Sequence, residues 1–126
     1  MAIRVHLLSS DDYAFSTDEE EMIVAETEQA EPAIRSLLPG LRNRLNLVVT
    51  TGTDVIPETG EVGFAASPDV VNWTVDPARG VADVAHQHVR HMLFHELHHC
   101  ETHSDSELPH RGLVRRIGVR GPRDRV

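Results

Sequence analysis

An α+β domain is predicted by three observations: an apolar–polar alternation at the N-terminus, two long stretches of helical periodicity, and three β-rich runs between those stretches. Ile3, Val5 and Leu7 alternate with Arg4 and His6, the period of a strand with one buried face. Asp11 to Glu31 then holds nine acidic residues, with Thr17 or Asp18 as the expected N-cap and Glu19 to Glu21 set against the positive end of a helix. Ile23, Thr27, Ala30, Ile34, Leu37 and Leu41 recur at helical spacing, so one face buries while the acidic face stays solvated. Pro32 is expected to kink or restart this helix, and Pro39-Gly40 to end it.

Leu45 to Thr51 reads as the second strand. Glu58-Thr59-Gly60-Glu61 is a turn leading into a short strand at Val62 to Ala66, and Ser67-Pro68-Asp69 turns the chain again. Val70, Val71, Trp73 and Val75 form a third β-rich run, closed by Asp76-Pro77 and Gly80. From Val81 to about His103 the pattern is helical, with Val89, Leu93, Leu97 and Cys100 on one apolar stripe.

The whole chain of 126 residues suits one domain, and its 12 basic against 20 acidic residues give a net charge of -8. That balance argues against nucleic-acid binding, which needs a clustered basic surface. The single cysteine excludes an intramolecular disulfide framework. The N-terminal run is too short for a membrane span and lacks the layout of a signal peptide, so a cytoplasmic protein is expected, with no membrane partner.

Eight of the nine histidines lie between His86 and His110, among them His95-Glu96-Leu97-His98-His99, an H-E-x-x-H pattern. On a helix, residues four apart share a face about 6 Å apart, so His95 and His99 can each offer a ring nitrogen to one Zn²⁺. Glu96 flanks that face, where a carboxylate can accept the proton of a metal-bound water as it attacks a carbonyl carbon. His91 and His103 extend the same ladder. Along a straight helix, however, His95 and His103 stand about 12 Å apart, so His103 joins the same ion only if the helix breaks before it. His86, His88, His91, His98 and His110 read as solvated imidazoles or as supports to the ligands, and Cys100 as a small buried hydrophobe.

In this pattern the chain resembles the zincin metallopeptidases. Gly63-Phe64-Ala65-Ala66-Ser67-Pro68, then Val70 to Pro77, then the H-E-x-x-H segment, is similar to a gluzincin-like group of predicted Zn-dependent proteases, over roughly Leu45 to His103. The resemblance implies a zincin-like N-terminal subdomain: a small mixed sheet packed against a backing helix and an active-site helix. Residues 1–103 would form this upper part and residues 104–126 a short irregular tail. It also implies a sheet edge, within Val62 to Val75, that pairs with an extended peptide by strand addition.

The gluzincin third ligand, a Glu in a Glu-Gly-Leu-Ala type segment, has no counterpart here. The metzincin position for that ligand falls on Asp105, with His103 as the alternative, although Thr102 replaces the turning Gly of that arrangement. Glu101, Glu107 and His110 are further candidates. One back-translation of Arg116 to Val126 encodes Glu-Gly-Leu-Ala in another frame, which would make this chain a truncated or frameshifted form of a longer peptidase.

The expected function is therefore zinc-dependent hydrolysis of peptide bonds in a peptide or protein substrate. The alternative is an inactive metal-binding domain, either a degenerate peptidase or a histidine-rich holder of Zn²⁺ or Ni²⁺. A missing lower half of the cleft would leave apolar surface exposed and favour self-association.

Overall fold

The computed structural model describes residues 2–105, with side chains for residues 3–102. Four strands and two helices follow in the order β1 (Ala2–Leu7), α1 (Thr17–Leu37), β2 (Arg44–Thr51), β3 (Glu61–Ser67), β4 (Val70–Val75) and α2 (Val81–Asp105). They form an α+β unit with one mixed sheet, ordered β1-β2-β4-β3. β1, β2 and β4 run parallel, and β3 returns antiparallel to β4 across the turn at Pro68-Asp69. The Ser67 hydroxyl donates to Asp69 Oδ1 at 2.8 Å and fixes that turn. β3 is therefore an edge of the sheet, whereas β4 lies inside it, which narrows the expected edge to the first of the two strands.

Both helices cover one face of the sheet. Leu45, Leu47 and Val49 of β2 and Val71, Trp73 and Val75 of β4 point into that layer at 0–1% exposure. They meet Ile23, Ala30 and Ile34 of α1 and Val89, Met92, Leu93 and Leu97 of α2. Each such apolar side chain contributes roughly 1.5–3 kcal/mol relative to an exposed position. Alternate strand residues, including Asn46, Val48, Asn72, Thr74 and Phe64, face the uncovered side and are half-buried or exposed.

The helix boundaries depart from the expected ones for local reasons. Ser16, not Thr17 or Asp18, caps α1: its hydroxyl accepts from Glu19 N at 3.1 Å while Glu19 Oε1 accepts from Ser16 N at 2.8 Å, a reciprocal capping box. Pro32 does not restart the helix, which is continuous over Thr17–Leu37 with Ala30 and Ile34 buried on either side of it. Packing of both halves offsets the one lost hydrogen bond. Leu38 takes the buried place expected of Leu37, which is 66% exposed because it falls off the stripe at the helix end. Before α2, Asp76 caps a short 3-10 turn at Pro77–Arg79 by accepting from Ala78 N at 3.0 Å, and Gly80 then turns the chain at φ +87°. α2 continues to Asp105, so residues 104 and 105 are helical rather than the start of a tail. The rest of the expected tail, residues 106–126, lies outside the described residues.

Candidate metal centre

Helical spacing sorts the side chains of α2 by environment. Val89, Met92, Leu93, Leu97 and Cys100 are 0–1% exposed in the core, while His91, Phe94 and His98 face outward. His95 and His99 sit on the border and are half-buried. Their Nε2 atoms are 3.3 Å apart, with ring centroids at 4.9 Å and planes at 71°. Two nitrogens each about 2.0–2.1 Å from a tetrahedral zinc are about 3.3–3.4 Å apart, so the pair matches one edge of such a centre. Burial holds the His95 pKa below the ordinary imidazole value, and the neighbouring His99, His91 and His98 add to this, which favours the uncharged ring that metal ligation needs.

Glu96 is fully buried at 0% exposure, on the side of α2 that meets β3. A β-carbon added to Gly63 would lie 2.8 Å from Met92 Cγ and 3.0 Å from Glu96 Cγ. Gly63 thus lets the edge strand approach the helix closely enough to enclose the Glu96 stem. One turn on, Cys100 donates from Sγ to Ser67 O at 3.2 Å. Burial, then the charges of Glu96 and Asp69, push its thiol up to about 12, so it is a protonated core side chain as the sequence indicates.

The third ligand lies at the limit of the described chain. The backbone of His103 and Asp105 is helical, and their side chains are outside the described residues, as are Glu107 and His110 altogether. The helix break on which His103 ligation depends does not occur through Asp105. Thr102, standing where a metzincin would turn on Gly, donates from Oγ1 to His98 O at 3.0 Å, a bond compatible with continued helix. Glu101 is corrected: its carboxylate accepts from Gly40 N at 2.7 Å, on the α1 side of α2 and away from the histidine pair. Among the described residues, no group of three or more His, Cys, Asp or Glu side chains converges on a common point.

The other histidines divide. His86 Nδ1 lies 3.2 Å from Glu26 Oε2, and Arg90 Nε donates to Glu26 Oε1 at 2.9 Å, which makes His86 part of the α1–α2 seam. His91 stacks toward His95 at 6.5 Å between centroids and His98 toward His99 at 6.4 Å, both on the outward face. Sequence reasoning missed the Glu26–Arg90 pair and the buried bond from Trp73 Nε1 to Glu61 Oε1 at 2.7 Å, because neither has a local spacing signal. It also missed the role of Gly63, for which an isolated Gly inside a strand pattern was the available signal.

No helix among the described residues is long and apolar enough to cross a membrane. Compared with known proteins, the chain matches no family model, no curated protein and no solved structure.

Proposed function

We propose that this chain is a zincin-like, zinc-dependent metallopeptidase domain that acts in the cytoplasm on extended peptide substrates. The observation that carries the reading is the 3.3 Å separation of His95 Nε2 and His99 Nε2, beside the Glu96 stem enclosed by α2 and β3. The fold is compatible: α1 takes the part of the backing helix, α2 that of the active-site helix, and the antiparallel β3 that of the cleft-lining edge. His95 and His99 would hold Zn²⁺; Asp105, the expected third ligand, lies about 9 Å beyond His99 along the unbroken α2 and a third of a turn round it, so the third ligand would have to come from another residue. Zinc held there would supply Lewis acidity toward the attacking water and the scissile carbonyl.

The chain's own groups do the rest. Glu96 accepts the proton of the attacking water at a carboxylate oxygen and returns it to the departing amine nitrogen. The carboxylate is enclosed at 0% exposure, so this exchange requires that a water be admitted to it from the side of the histidine pair. β3 offers backbone N–H and C=O groups along its outer side, which orient an extended peptide over the end of the histidine pair.

Elemental analysis of the purified, untagged protein tests the reading. One zinc per chain, lost in His99→Ala but retained in Glu96→Gln and Asp105→Ala, is expected, with hydrolysis abolished in His99→Ala and Glu96→Gln. Hydrolysis unchanged in Glu96→Gln would remove Glu96 from the mechanism. A second reading, a non-catalytic metal holder, is favoured by the row of His91, His95, His98 and His99 along the outward side of α2. Several loosely held ions that survive His99→Ala would select it. Self-association, if it occurs, would use the same side, where Phe94 is 37% exposed.

A further inference from the structure

The uncovered face of the sheet carries a groove of about 350 Å³ at the β3 edge, walled by Thr53, Asp54, Val62, Phe64, Asn72 and Thr74. Val62 and Phe64 make its apolar floor, and Phe64 is 38% exposed. Thr74 is held in place by a hydroxyl contact to Thr50 at 3.1 Å, and a β-carbon added to Gly52 would lie 3.4 Å from the Thr74 methyl. Asp54 is exposed and is the one charged side chain on the lining.

The edge itself sets which substrate residue reaches this groove. Ile56 N donates to Glu61 O at 3.2 Å from the side opposite β4, so Glu61 turns its carbonyl outward. By antiparallel alternation, Gly63 and Ala65 present their N–H and C=O groups outward as well, while Val62 and Phe64 bond to β4. A strand paired with Gly63 and Ala65 sends the residue opposite Phe64 to the uncovered face and its two neighbours toward α2.

We infer that this groove is a specificity subsite that selects a cationic side chain, Arg or Lys, at the substrate position opposite Phe64. The inference rests on the peptidase reading for its substrate class. A long cationic side chain lays its methylene stem on Val62 and Phe64, places its charge over the Phe64 ring and reaches the Asp54 carboxylate. Neutral and acidic side chains lose the last two contacts, and the net charge of -8 further favours cationic peptides.

The test uses labelled, alternating valine–threonine peptides with one central arginine, norleucine or glutamate. Their binding to the purified full chain is measured by fluorescence anisotropy, and their cleavage is followed separately. The arginine peptide should bind roughly fivefold to tenfold more tightly than the norleucine peptide. Asp54→Asn should bring that ratio within about twofold while leaving norleucine binding unchanged. Methylation of the peptide nitrogens that face Gly63 and Ala65 should abolish binding. Equal binding of the three peptides, no binding, or a preference that survives Asp54→Asn overturns the subsite even where the peptides are cleaved. Preferential binding lost in Asp54→Asn, without cleavage, would retain the subsite and sink the peptidase reading instead.

Discussion

On its α1 side, α2 is tied by charge: Arg90 and His86 meet the Glu26 carboxylate, and Glu101 accepts from the Gly40 backbone. On its β3 side it is tied by contact, through Gly63 against Met92 and Glu96 and through Cys100 against Ser67. Arg90 is 54% exposed, so the first seam is solvated and tolerant of adjustment. The second is dry and close-packed, and a change of one methylene is felt there. The histidine pair and Glu96 border the second seam, where their geometry is held by packing rather than by screened charge.

The contrast can be broken most directly at the metal ligands. His99→Ala should weaken zinc binding by at least about 100-fold, above the range caused by losing a supporting group alone, as checked by equilibrium dialysis. The same substitution should leave the α1–α2 seam intact by circular dichroism. Gly63→Ala comes next, because its new methyl meets Met92 Cγ, near the base of that side chain and not at its flexible end. A loss of roughly 1–3 kcal/mol in urea unfolding is expected from such overpacking. Displacement of Glu96 by about 1 Å should cost on the order of 100-fold in kcat. An unchanged Gly63→Ala protein would show that the β3 seam is looser than its contacts indicate.

Trp73→Phe sharpens the comparison inside the core. It removes the donor to Glu61, which is 2% exposed, and should cost about 1–3 kcal/mol in unfolding experiments. The smallest effect is expected at the charged seam. The Arg90 hydrogen bond, with help from His86, lowers the Glu26 pKa below 4.5, despite the opposing effect of burial. Glu26 thus stabilises the fold fully above that ordinary value and loses its contribution as pH falls through the lowered one. Glu26→Gln should therefore cost about 0.5 kcal/mol at neutral pH. The gap to wild type should close as the solution is made strongly acidic, and a gap that instead widened in acid would contradict the assigned pairing.

Elements with a local period were legible in the sequence. The alternation of β1, the stripe of α2 and the turns at Gly60, Pro68-Asp69 and Gly80 fall where their residues indicate. Ser16 was passed over because Thr17 and Asp18 are equally good capping types, and only the reciprocal bond with Glu19 decides among them. Pro32 misled because its local cost is fixed while the burial of Ala30 and Ile34 that outweighs it is tertiary. At the site, the i, i+4 spacing of His95 and His99 sufficed to bring their rings together. The burial of Glu96 required Gly63, from a strand distant in sequence, and no pattern along one segment reports such a meeting.

The Glu26–Arg90 pair joins residues 64 positions apart, and α2 is the last described element of the chain. During synthesis, β1, α1, β2, β3 and β4 emerge before α2, which packs with α1 on their common face. Leu47, Val49, Val71 and Trp73 then await a cover that arrives only with Val81–Asp105. Sheet pairing between distant segments is slow, and such an intermediate exposes both an apolar surface and an open strand edge. A chain stalled just before Val81 is therefore expected to be more aggregation-prone than one from which α2 has emerged.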